Sequence, residues 1–162
     1  MKIKVSLSPS SIDAAIKQVE QYKQDLNRKA NELAQRLASM GATEVSLGFS
    51  RAIYTGPMDY DVTVEDLGNN KYRIVASGET ILFAEFGSGV TYGDGHPLNG
   101  KFGYGPGTYP GQTHAMTGKG WYLPKSKGGG HTYGNPPNMP VYNTAKELRK
   151  EVERVAREVF KT

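Results

Sequence analysis

The chain has 162 residues, a formal net charge of +4 and no cysteine. That length favours one domain with one core, and the missing cysteine excludes disulfides, thiolate nucleophiles and cysteine-based metal sites. Hydrophobic residues at 37% and charged residues at 22% fit neither a disordered nor a membrane-embedded chain. No apolar run approaches the roughly 20 residues of a membrane helix, and Met1-Lys2-Ile3-Lys4-Val5 lacks the apolar stretch of a signal peptide. The expectation is a soluble protein made in the cytoplasm, without a membrane partner.

The first expected element is a long helix over Ser11–Met40, in which Ile12, Ile16, Val19, Leu26, Ala30, Leu33 and Leu37 recur at helical steps. Ser10 is its expected N-cap and Gly41 its expected terminator. Such a helix is about 45 Å long, so part of it should overhang the core or meet another subunit. Short strands should follow, at Val45, Leu47 and Phe49, at Val62 and Val64, and at Lys71–Ala76, the last entered through a turn at Leu67-Gly68-Asn69-Asn70. Thr80–Phe86 is apolar on both faces, and its periodicity leaves strand and helical turn both open.

From 87 to 140 the composition changes. Fifteen of the 20 glycines, all three histidines and the single tryptophan fall here, with Asp94 as the sole acidic residue and no arginine. This stretch is expected to be a Gly-rich extended insertion. Its few apolar side chains fall short of offsetting the cost of ordering its backbone, so it should be mobile in the monomer and ordered by a partner. A second helix, Thr144–Phe160, carries the stripe Leu148, Val152, Val155 and Val159, with Asn143 or Thr144 as cap. The whole of 1–162 thus reads as a single α+β domain: long N-terminal helix, small antiparallel sheet, Gly-rich insertion, and C-terminal helix packed on the sheet.

Enzyme signatures are missing. There is no phosphate loop, no G-x-G-x-x-G, no nucleophile elbow and no H-E-x-x-H helix. No catalytic, cofactor or metal residue is therefore assigned. Two rival functions have a residue basis. His96, His114 and His131, with Asp94, have ligand chemistry for zinc and would suit a small hydrolase of cell wall or carbohydrate. Trp121 and Tyr122 among Lys101, Lys119, Lys125 and Lys127 could stack single-stranded nucleic acid, although an insertion without arginine suits duplex phosphate poorly. The better expectation is a protein interface, where Trp and Tyr are over-represented; its candidate residues are Phe83, Phe86, Tyr104, Tyr109, Trp121 and Tyr122. Glu85, alone in an apolar run, is expected to face solvent or an ion-pair partner.

Two segments carry a family resemblance. Ile81-Leu82-Phe83-Ala84-Glu85-Phe86-Gly87-Ser88-Gly89 resembles the aromatic-Ala-x-x-x-Glu-Phe-Gly-Thr-Gly segment of phage minor tail proteins, departing from it in that Ala84 directly precedes Glu85. Asn138-Met139-Pro140-Val141-Tyr142-Asn143-Thr144-Ala145 resembles that family's Pro-Phe-x-x-x-Ala approach to its last helix, with Val141 in place of Phe. The family is the head–tail joining and tail-completion group of tailed bacteriophages. The resemblance implies a structural virion subunit at the head–tail junction, made in the bacterial host. It would form a ring, a hexamer, with copies of itself and contact neck and tail proteins, with no catalytic residues and no specific nucleic acid.

Overall fold

Helix α1 (Pro9–Ser50) begins on a Ser8 cap whose hydroxyl accepts from the Ser11 amide at 3.3 Å, with Pro9 in the first turn. The cap is therefore Ser8 and not Ser10. The protein is described by a computed structural model covering residues 3, 4, 6–89, 91, 92, 95–102 and 118–161. α1 does not stop at Gly41 but continues to Ser50, so the strand expected at Val45, Leu47 and Phe49 is a correction. Ala38, Gly41, Val45 and Phe49 recur every three or four residues and are all buried, a helical face that the local alternation disguises. Gly41 serves packing: a Cβ there would lie 2.5 Å from Ile74 Cδ1 and 2.7 Å from Leu148 Cδ1.

The sheet is smaller than expected, a two-stranded hairpin of β1 (Asp61–Asp66) and β2 (Tyr72–Ser77) in antiparallel register Val62↔Ala76 and Val64↔Ile74. Its turn is the one expected. Asn69 and Asn70 take positive φ values of 52° and 61°, and the Lys71 amide donates to Gly68 O at 3.0 Å, the geometry that matches strand twist. Thr80–Phe86 resolves as a helical turn, α2 (Ile81–Phe86). The core gathers Val45, Phe49 and Ala84, with Met58, Tyr60, Val62, Ile74, Ala76 and Ile81 packed around them. Phe49 stacks on Tyr60 at 5.3 Å between ring centroids.

Helix α3 (Pro140–Lys161) starts four residues before the expected Thr144. It runs antiparallel to α1: Pro140 meets Gly48, Leu148 meets Gly41, and Glu158 faces Arg36 at 4.0 Å. α1 therefore takes most of the cover expected from the sheet, and α3, α1 and β2 converge at Gly41. Within 118–140 lie a second small hairpin, β3 (Trp121–Tyr122) with β4 (His131–Thr132), and a 3-10 turn at Lys125–Lys127. These residues are tied to the core. Ser88 bridges Asn135, and Gly134, at φ 104°, sits so close to Ser88 that a Cβ would fall 1.9 Å from its carbonyl oxygen. Lys127 pairs with Glu79. No helix among the described residues is long and apolar enough to cross a membrane.

Candidate functional site

α2 ends at Gly87, whose φ of 81° turns the chain away, and this places Glu85 inside the molecule. Glu85 does not face solvent. Its Oε2 accepts the Val141 amide at 2.8 Å, and its Oε1 accepts the Tyr142 amide at 2.9 Å. These are orphan N–H groups of α3's first turn, where the helix dipole also favours negative charge. The carboxylate thus caps a helix from afar, its first donor, Val141, lying 56 residues downstream. Pro140 in the first turn marks that start in the sequence; the capping group has no local signal.

His96 completes the cluster. Its Nε2 lies 3.2 Å from Glu85 Oε1, and its Nδ1 accepts the Leu98 amide at 3.1 Å. An Nδ1 that accepts leaves the proton on Nε2, which donates to Glu85. Both ring nitrogens are therefore occupied, and the ring is clamped between Phe86 and Tyr142, at 4.3 and 5.3 Å between centroids. A metal ligand needs a free lone pair, and here neither nitrogen offers one. Glu85 likewise accepts three hydrogen bonds within the molecule.

Above this cluster opens a cleft of about 540 Å³ lined by Phe49, Leu82, Phe86, Leu98, Phe102, Val141 and Tyr142, with Lys101, Lys146 and Arg149 also on its wall. Leu82, Val141 and Phe102 are exposed. The arrangement is an apolar floor with a basic rim. It suits an apolar anchor flanked by acidic groups, and Glu85 and His96 also line it.

The expected interface residues divide. Phe86 is buried against His96 and 6.0 Å from Phe102, and Phe83 is half-buried. Trp121 is half-buried, its ring edge 3.3 Å from where a Cβ of Gly89 would stand. Tyr122 is 79% exposed and packs edge-on against His131. Tyr104, Tyr109, His114 and Asp94 lie outside the described residues. His131 sits between Tyr122 and Tyr133, each 4.9 Å away. Among the described residues no group of three His, Cys, Asp or Glu side chains is placed to hold a metal ion.

No local signal in the sequence marks the tying role of the two asparagines before α3, although Asn138 opens one of the segments that carry the family resemblance. Asn138 exchanges two hydrogen bonds with the Ile53 backbone, at 2.8 and 3.1 Å, and its amide donates to Ala84 O at 2.8 Å. Asn135 Oδ1 accepts the Thr55 amide at 2.6 Å. Together they clip the chain after α1, the α2 turn and the start of α3 into one unit. Compared with protein-family models, curated proteins and solved structures, the chain finds no match in any of the three.

Proposed function

We propose that the chain is a structural subunit of a tailed-bacteriophage particle, completing the tail or joining it to the head, and that it works by ring assembly with itself and with neck and tail proteins. One observation carries this: the polar groups best suited to chemistry, Glu85 and His96, are consumed by internal hydrogen bonds, while an apolar cleft with a basic rim is left open. A chain that spends its buried polar groups on architecture and keeps apolar surface outside is built for contact rather than turnover. The two segments that resemble the tail-completion group also touch directly, Glu85 to Val141 and Tyr142, and Ala84 to Asn138. They form one physical unit, which favours a shared fold constraint over two chance likenesses.

Ring contacts are heterologous, so each subunit needs two different complementary surfaces. The cleft with Lys101, Lys146 and Arg149 is one. The β1–β2 hairpin is the other, with exposed Asp61 and Asp66 beside exposed Val64 and Leu67, while Glu65 pairs with Arg73 at 3.5 Å and Lys71 lies at the turn. Antibody raised against the purified chain, applied to particles produced by the encoding phage or prophage, tests the proposal. Label at the head–tail junction is expected under the electron microscope. Particles that carry no label anywhere would overturn it.

A further inference from the structure

The cations on the cleft wall stand without ion pairs. Lys101, Lys146 and Arg149 are exposed and form no salt bridge with a carboxylate among the described residues. Farther along α3, Lys150 pairs with Glu147, Arg154 with Glu151 and Glu158, and Arg157 with Glu153. Two of the three cleft cations are held by rings instead. Lys146 Nζ stands 5.6 Å from the centroid of Tyr142, and Lys101 Nζ 5.9 Å from that of Phe102, within the reach of cation–π attraction. Both rings line the cleft, so these ammonium groups stay at its wall.

These features select an occupant. The cleft is about 540 Å³, with Phe49, Leu82, Phe86 and Val141 among its apolar lining, and that volume lies in the range of small-molecule sites. Anything that covers it takes water from Lys101, Lys146 and Arg149, which is unfavourable unless the occupant brings negative charge. Glu85 lines the cleft too. It is a carboxylate whose donors are already supplied from within the molecule, so it repels a second anion from its own side. An apolar body with a single acid group at one end meets both conditions.

We propose that the cleft binds a small amphipathic carboxylate, an alkyl or aryl body ending in one acid group. The acid lies at Lys101, Lys146 and Arg149, and the body lies on the apolar lining. Binding stands whether or not the particle role holds. One consequence does rest on the ring reading: the bound carboxylate carries the same chemistry as the hairpin of a neighbour, and so displaces it.

Decanoate is the probe, with decanol and decyltrimethylammonium as its neutral and cationic counterparts. Titration calorimetry on the full chain should give one decanoate per chain with a Kd of about 10–100 μM. The cationic counterpart should bind roughly tenfold more weakly. Lys146→Glu with Arg149→Glu should weaken decanoate roughly tenfold and leave decanol unchanged. Leu82→Trp, at an exposed position on the cleft, should weaken decanoate and decanol alike by filling the space. Assemblies that persist with decanoate bound would remove the cleft from the ring contact and leave the binding site standing. Three results would each overturn the proposal: no decanoate binding, decyltrimethylammonium binding as tightly as decanoate, or decanoate binding that neither the charge reversal nor Leu82→Trp alters.

Discussion

Glu85 gives α3 what a helix ordinarily takes from the residue just before it. Three donors converge on its two oxygens, and one of them, His96 Nε2–H, is buried with no other acceptor among the described residues. Glu85→Ala should therefore lower stability by about 3 kcal/mol, the loss of a cap plus an unpaired buried donor. Glu85→Gln, which keeps one acceptor oxygen, should cost about 1–2 kcal/mol. Urea midpoints at unchanged slope read both, and an unmoved midpoint in the alanine variant would refute the capping role. The occupied imidazole yields a second expectation: saturating zinc leaves the melting temperature where it was. A zinc-dependent rise that disappears in His96→Ala would reinstate the metal reading. Nothing near Glu85 in the sequence announces this role. Its partners are 11, 56 and 57 residues away, and a carboxylate in an apolar run looks the same whether it faces water or a distant helix.

At the scale of elements, α1 depends on two glycines that are anything but terminators. A Cβ at Gly48 would stand 2.7 Å from Pro140 Cβ and 3.2 Å from its Cα, and the latter is backbone that has little freedom to move. Gly48→Ala gains about 1 kcal/mol of helix propensity but forces α3 outward, and a net loss of about 1–2 kcal/mol is expected from overpacking. Gly41→Val, wedged between Ile74 and Leu148, should lose about 2–3 kcal/mol. Chemical denaturation of the two variants decides; a stabilised Gly48→Ala would mean that the helices separate freely. The same glycines explain what was legible. The β1–β2 hairpin announced itself through alternation and Asn69-Asn70, and both long helices through their stripes. The end of α1 did not, because a glycine needed for close helix approach has the same letter as one that ends a helix. The length of α2 did not either, since six residues hold too little periodicity to separate helix from strand.

For the whole molecule, the proposed ring contact sets the basic-rimmed cleft against the β1 side of a neighbour's hairpin, where Asp61 and Asp66 are exposed and Glu65 pairs with Arg73 at 3.5 Å. Lys146→Glu with Arg149→Glu should abolish ring-sized assemblies in mass photometry while leaving thermal unfolding near that of the parent, because both side chains are exposed. Adding Asp61→Lys, which leaves the Glu65–Arg73 pair and the Asp66 turn contact intact, should restore them in part. Assemblies that ignore the first pair of changes would remove the cleft from the contact.

The Asn135, Asn138 and Glu85 ties join two stretches of chain that are far apart in sequence. α3 lies along α1, its first turn is held by α2, and the approach to it is fastened to Ser88, Ile53 and Thr55. These contacts hold 118–161 directly against the stretch that ends at Ser88. Two separately encoded polypeptides, 1–102 and 118–162, produced in one cell should find each other and copurify through a tag on either, like the halves of a split reporter.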